Sequence, residues 1–314
     1  MTDSKPDVLV VNNFHPPTIS RIDKIYQTYH LWKLNTKAQN ELIAKLDGKC
    51  KAAVTGSWTF NERAYNLSSL SLISAFGVGI DGIDINLTKE NQIRVTNTPG
   101  VLNDDVADIA LTLILTTNRN IINADKYARS RLWEKSPMPY GSGLAGKTLG
   151  IVGFGRIGEA VAKRVLPLKL KIAYHNRTKK DSPHKYFASL IELAHNSDIL
   201  LCILPGGQET ERVINREVFK ALGPTGIFIN IGRGTSVDEN SLIEFLAHKK
   251  IAAAGLDVYA EEPLIPKALL ELDNTVLLPH IGSATIETRD AMGDLVLKNL
   301  EAFFSNNELV TEVK

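Results

Sequence analysis

Short unbroken apolar runs alternate along the chain with segments whose apolar residues return every three or four positions. Asp7 to Val11 (DVLVV) reads as a buried strand. From Pro17 to about Tyr29, Ile19, Ile22, Ile25 and Tyr26 recur at helical spacing. Asn40 to Leu46 is helical, and Ala52 to Thr55, Leu70 to Ala75 and Ile93 to Thr96 are extended. Such alternation predicts a parallel sheet flanked by helices. Thr98-Pro99-Gly100 is a turn signal and a hinge candidate. Beyond it Asn103-Asp104-Asp105 caps a long helix through Val106, Ile109, Ala110, Leu113 and Ile114, expected to continue, bent or straight, to Trp133.

The βα alternation resumes after the loop Pro137-Met138-Pro139-Tyr140-Gly141-Ser142-Gly143. Leu149 to Val152, Leu170 to Tyr174, Ile199 to Leu204, Gly226 to Ile231, Ala252 to Leu256 and Thr275 to Leu278 read as strands. Leu190 to His195 and Asn240 to His248 read as helices between them. A last helix from Thr285 to Phe304, with Met292, Leu295, Val296, Leu300 and Phe303, is expected to return to the first domain. The pattern therefore predicts an α/β chain of two domains with parallel sheets: residues 1–98 with 286–314, and residues 99–285.

The strand Leu149 to Val152 runs straight into Gly153-x-Gly155-x-x-Gly158, and a helix follows with Ile157, Val161, Ala162 and Val165 on one face. Gly153 suits a tight strand-to-helix turn, Gly155 lets a pyrophosphate approach the backbone, and Gly158 lets the helix pack close to the sheet. Amides at the start of that helix can hold phosphates. A bare motif of this kind also fits a plain glycine-rich turn; the strand before and the helix after favour a dinucleotide.

The 314 residues suffice for two cores. With 44% hydrophobic and 23% charged residues and a formal net charge of +1, nothing points to nucleic acid or an anionic membrane as partner. The start, Met1-Thr2-Asp3-Ser4-Lys5-Pro6, is polar, and the longest apolar run, around Ile109 to Leu115, is too short to span a bilayer. A cytoplasmic location is expected, with Cys50 and Cys202 reduced. No metal is expected.

Three polar residues stand just past strand ends: Arg233 in Asn230-Ile231-Gly232-Arg233-Gly234, Glu262 in Tyr259-Ala260-Glu261-Glu262-Pro263, and His280 in Leu278-Pro279-His280-Ile281-Gly282-Ser283. The carboxyl ends of strands form the ligand crevice of open parallel sheets. Taken singly, each has a plain explanation as a turn cap, a solvated acid or a hydrogen-bonded loop histidine. Together, downstream of a nucleotide motif, they suggest chemistry.

Those motifs, with Phe76-Gly77-Val78-Gly79-Ile80-Asp81, Asn97-Thr98-Pro99-Gly100-Val101 and Gly255-Leu256-Asp257-Val258, resemble the D-isomer-specific 2-hydroxyacid dehydrogenase family over nearly the whole chain. Within it the chain is most similar to the glyoxylate/hydroxypyruvate and hydroxyphenylpyruvate reductases. Asp125-Lys126-Tyr127, Ile214-Asn215-Arg216-Glu217 and Ala221-Leu222-Gly223-Pro224 support that narrower likeness. The resemblance implies a Rossmann-type dinucleotide-binding domain, a flavodoxin-like substrate domain, and NAD(P)H-dependent reduction of a small-molecule 2-oxo acid.

It makes Arg233, Glu262 and His280 the catalytic trio, and their chemistry suits the task. Histidine titrates near neutrality and can deliver a proton to the carbonyl oxygen. Glu262 favours the imidazolium, and Arg233 can grip the carboxylate and polarise the carbonyl. The amides of Val78 and Gly79 are implied as a second hold on the carboxylate, although Gly77-Val78-Gly79 alone reads as a plain loop. Trp58, in Ser57-Trp58-Thr59, is implied to face the substrate side chain; it equally fits an aromatic packed on its own domain.

The nucleotide is implied to lie across Gly155, Arg156 and Ile157, with Leu204, Pro205, Thr210, Ile231, Asp257, His280 and Ser283 on its far side. Asp257 can hold the nicotinamide amide or, as a strand-end acid, simply cap a turn. The long helix from about Asn103 resembles the family's dimer-forming segment, which implies a homodimer, with Trp133 or Met138 at a neighbouring subunit's site. Small acids, glyoxylate and hydroxypyruvate, are the expected substrates. Phenylpyruvates, or a dinucleotide-sensing corepressor role, are the alternatives.

The cofactor preference is readable from the residues themselves. NAD-binding units of this kind carry an acid at the end of the second strand for the ribose 2′-hydroxyl. Here Lys171-Ile172-Ala173-Tyr174 is followed by His175-Asn176-Arg177-Thr178-Lys179-Lys180, with no carboxylate before Asp181. Arg177 can bind a 2′-phosphate through a forked, charge-assisted pair, and Asn176 and Thr178 can add hydrogen bonds. A solvated basic loop is the plain alternative; the position of the run argues for NADPH over NADH.

Overall fold

A computed structural model describes residues 5–56 and 60–313. Trp58 lies outside the described residues. The chain divides into two compact units, one running up to Leu102 and resuming at Thr285, the other Asn103–Ala284.

The first unit is built on β1 (Asp7–Val10), β2 (Gln27–His30), β3 (Ala52–Gly56), β4 (Leu72–Phe76) and β5 (Arg94–Thr96). All pairs are parallel, in the order β2-β1-β3-β4-β5, which is the flavodoxin-like order. Helices cover both faces, so the inner strands are apolar without alternation; every residue of β4 is buried. The helix Ile286–Phe304 belongs to this unit and packs on β4 and on the helix Pro16–Ile25. Their approach is close: a Cβ at Gly293 would lie 2.1 Å from Thr18 Oγ1.

In the first unit one strand departs from the pattern. The helical spacing predicted to run to Tyr29 ends at Ile25, and Gln27–His30 pairs with β1 as an edge strand. Its residues are exposed or half-buried, so it needs no apolar run.

The second unit holds β6 (Thr148–Val152), β7 (Lys171–His175), β8 (Lys185–Tyr186), β9 (Ile199–Cys202), β10 (Ile227–Asn230), β11 (Ala253–Leu256) and β12 (Thr275–Leu277). They form one parallel sheet in the order β12-β11-β10-β9-β6-β7-β8. Strand order reverses between β6 and β9, the position at which such sheets bind dinucleotides.

The helix expected to reach Trp133 is two helices, Asn103–Asn118 and Ile121–Arg129, followed by a 3-10 turn at Leu132–Glu134. Asn120 breaks it with a left-handed backbone, φ 51°, which asparagine tolerates better than most residues. The helix after the glycine motif ends at Val165 and passes through a 3-10 turn containing Pro167. Lys169 (φ 61°) then takes the left-handed position that glycine usually fills. Among the described residues no helix is long and apolar enough to cross a membrane.

Candidate active site

The glycine motif fits its proposed ligand. Gly153 sits at φ 94°, where a side chain would be strained, and a Cβ there would lie 2.9 Å from the Ile203 carbonyl oxygen. A Cβ at Gly155 would meet nothing within 4 Å, whereas one at Gly158 would press on Gly153 O and Phe154 at 3.2 Å. Gly155 is the N-cap of the helix Arg156–Val165 and offers no side chain to it. The first amides of a helix have no intrahelical acceptor, which leaves the N–H groups of Arg156 and Ile157 to a ligand beside the open Gly155. That is the donor set a pyrophosphate requires.

Past the end of β7, Asn176 has a role that sequence reasoning missed. Its Oδ1 accepts from Phe154 N at 2.6 Å and its Nδ2 donates to Phe154 O at 3.1 Å. The side chain thus clasps the glycine turn from the neighbouring strand. Arg177 is exposed and its guanidinium pairs with Glu209; Thr178 is exposed beside it. Glu209 lies on the 3-10 turn Gln208–Thr210, which Thr210 anchors by donating to Pro205 O (2.7 Å) and Gly207 O (3.0 Å). Leu204 and Pro205 lie just past β9, after Ile203, Ile231 is buried at the end of β10, and Ser283 is half-buried beyond β12.

The trio converges at the carboxyl ends of the adjacent strands β10, β11 and β12. Asn230, itself buried, donates to Arg233 O (3.0 Å) and accepts from Gly232 N (3.0 Å); Ser236 Oγ also donates to Arg233 O (2.7 Å). These bonds fix the backbone from which the Arg233 guanidinium projects. Gly234 allows that turn to seat on its neighbour, since a Cβ would fall 1.8 Å from the Tyr259 carbonyl carbon.

Glu262 accepts from Tyr259 N through Oε1 (3.0 Å) and meets His280 Nδ1 through Oε2 (2.6 Å). Tyr259 is held in turn, its buried hydroxyl donating to Leu278 O at 2.9 Å. Burial works to raise the Glu262 carboxyl. The hydrogen bond and charge of His280, the Tyr259 amide and the Arg233 charge outweigh it, and the group titrates below the usual range.

His280 has a left-handed backbone, φ 53°, a conformation costing a non-glycine residue roughly 1–2 kcal/mol. Asp257 holds it there. The buried carboxylate accepts from Ile281 N (2.7 Å) and Gly282 N (2.8 Å) and so caps that turn. Burial pushes the Asp257 carboxyl up, against those two amides and the His280 charge.

In the first unit, Val78 and Gly79 follow β4 on a half-buried loop. Asn97 Nδ2 donates to Val78 O at 2.8 Å.

A paired imidazole and carboxylate beside a guanidinium can protonate a carbonyl oxygen while binding an acid. The family model for the NAD-binding domain of D-isomer specific 2-hydroxyacid dehydrogenases matches residues 111–282, within the second unit. The chain belongs to the D-isomer-specific 2-hydroxyacid dehydrogenase family. It is 42% identical over 295 residues to a glyoxylate/hydroxypyruvate reductase A of Arabidopsis thaliana, covering 93% of this chain and 94% of the relative. It is 44% identical over 296 residues to a hydroxyphenylpyruvate reductase of Plectranthus scutellarioides, with the same coverage. Among solved structures it resembles the NADPH-dependent glyoxylate/hydroxypyruvate reductase of Sinorhizobium meliloti in complex with NADP and malonate. That likeness has a TM-score of 0.91 and 37% identity, and covers 99% of this chain and 97% of the other. This dehydrogenase is accordingly an NAD(P)-dependent oxidoreductase that reduces 2-oxo acids.

Proposed function

We propose that the enzyme reduces glyoxylate and hydroxypyruvate to the D-2-hydroxy acid, prefers NADPH, and uses His280 as proton donor. The observation carrying this reading is the His280–Glu262 pair at 2.6 Å. With Nδ1 committed to the carboxylate, Nε2 is the nitrogen assigned to the substrate oxygen. Glu262 stabilises the imidazolium, and Arg233 binds the substrate carboxylate and polarises the carbonyl. The nicotinamide, when bound, supplies the hydride. Arg156 and Ile157 would hold the pyrophosphate through their amides, and Arg177 the 2′-phosphate. Asp257 fixes the loop that carries His280, and its carboxylate keeps acceptor capacity with which it would hold the nicotinamide amide. For Val78 and Gly79 as amide donors to the carboxylate the reading rests on the family resemblance.

The Sinorhizobium relative's NADPH dependence supports the cofactor assignment, and the Arabidopsis relative's name supports the substrate. The identity to the Plectranthus enzyme favours hydroxyphenylpyruvate as the second reading. Cofactor oxidation against glyoxylate, hydroxypyruvate, phenylpyruvate and hydroxyphenylpyruvate decides between them: a higher kcat/KM for the aromatic acids reverses the order. A homodimer is part of the same reading. The segment 121–134 exposes Ile121, Ile122, Leu132 and, at 73%, Trp133, more apolar surface than a solvated arm needs. A monomeric mass by light scattering removes it.

A further inference from the structure

We infer that Asn97 is a positioning residue for the substrate carboxylate, and that the C-terminal segment around Thr311 holds it in place. This rests on the reading that the Val78 and Gly79 amides bind that carboxylate.

In a trans peptide the carbonyl of one residue and the N–H of the next point in opposite directions. Fixing one carbonyl therefore aims the following amide. Both carbonyls that precede the two proposed donors are fixed. Gly77 O accepts from Thr98 N at 2.9 Å, which sets the Val78 N–H. Val78 O accepts from Asn97 Nδ2 at 2.8 Å, which sets the Gly79 N–H. The second of these bonds depends on a side chain, and so on what orients Asn97.

Asn97 is gripped from the far end of the sequence. Thr311 Oγ1 donates to Asn97 O at 2.6 Å, and Asn97 N donates to Thr311 O at 3.3 Å. Thr311 is tied to Asn299, which is fully buried on the helix Ile286–Phe304. Asn299 Nδ2 donates to Thr311 Oγ1 (2.8 Å) and its Oδ1 accepts from Thr311 N (3.1 Å). The neighbouring Glu312 pairs with Arg94 through both oxygens at 2.7 Å. A chain of directed bonds thus runs Asn299–Thr311–Asn97–Val78, ending on the peptide that presents Gly79. None of these side chains is needed to touch substrate.

The test compares Asn97→Ala, Thr311→Val, Thr311→Ser and Gly79→Pro in the full-length enzyme. KM for glyoxylate, kcat, NADPH affinity by fluorescence and Tm are measured for each. An amide donor to a carboxylate acts in ground and transition state alike, so its misalignment appears in KM rather than kcat. Asn97→Ala is expected to raise KM roughly five- to tenfold, the worth of about one hydrogen bond. Thr311→Val, which keeps shape but loses the hydroxyl, is expected to raise it less. Thr311→Ser restores the wild-type value, and kcat and NADPH affinity hold in the Asn97 and Thr311 variants. If Gly79→Pro raises KM while Asn97→Ala and Thr311→Val leave it within twofold, the relay is overturned and the carboxylate reading stands. If none of them raises KM, both fall. A loss of kcat and NADPH affinity in step with a lowered Tm makes the chain merely structural and also overturns the inference. Should Thr311→Val fail to fold, Asn97→Ala decides alone.

Discussion

Arg177→Ala isolates the proposed contact with the 2′-phosphate, and the structure sets its size. A hydrogen bond to a charged group contributes about 1.5–3 kcal/mol. Arg177 must first leave Glu209, but that pair is 86% and 77% exposed, and exposed ion pairs contribute about 0–1 kcal/mol. The net preference for NADPH is therefore about 0.5–3 kcal/mol, roughly two- to 150-fold in Kd. Arg177→Ala removes it by weakening NADPH alone, and the wild-type preference shrinks with added salt. Glu209→Gln moves the other way. With the competing carboxylate gone, NADPH binds roughly two- to fivefold more tightly while NADH is unaffected. Titration of both cofactors by fluorescence or calorimetry, in wild type and the two variants, reads these values directly. Equal affinities in the wild type, or an Arg177→Ala enzyme that still discriminates, refutes the reasoning.

Three further substitutions probe the strand-end cluster. His280→Ala is expected to lower kcat roughly 10²–10⁴-fold with NADPH Kd unchanged; turnover within a few-fold of wild type removes His280 from the mechanism. Glu262→Gln is expected to move the pH at which reduction declines downward, because the imidazolium loses its partner. The same variant tests stability. Glu262 titrates below its usual range in the folded chain, so the stability it lends is full above the unfolded carboxylate range, near pH ~4.3, and is lost as pH falls through the depressed value. Glu262→Gln flattens that acid limb in denaturant titrations; an unchanged limb contradicts it. Asp257→Asn leaves one of the Ile281 and Gly282 amides facing an NH₂ group, a buried loss of about 1–3 kcal/mol. Kcat is expected to fall as His280 loses its seat, and an unaltered Tm and kcat refute that.

The parallel sheets were legible because strands covered on both faces are continuous apolar runs, as in β4, β9 and β10. The edge strands β2 and β8 were not, since half-exposed residues carry no such signal. The break at Asn120 was missed because the apolar spacing of the preceding helix says nothing of a single left-handed residue beyond it. Arg233, Glu262 and His280 stood out as polar residues where apolar strands end. What held them did not. Asn230 acts on backbone atoms within its own turn and Tyr259 on the carbonyl of Leu278, while Asn176 clasps the glycine turn at Phe154; a side-chain-to-backbone hydrogen bond leaves no spacing to read. Asp257 was visible, and the Ile281 and Gly282 amides at 2.7 and 2.8 Å show that it caps the turn carrying His280.

The Arg177–Glu209 pair differs in kind from the Glu262–His280 pair. The first is a solvent-exposed link between two surface loops; the second is set among tight turns where Gly234 admits no Cβ and Asp257 pins the adjacent backbone. Substitutions at positions 177 and 209 therefore meet little steric resistance, while those around 233, 262 and 280 disturb packed backbone. With Arg177 in its proposed role, cofactor choice is open to change by surface substitutions that leave the packed strand-end cluster undisturbed.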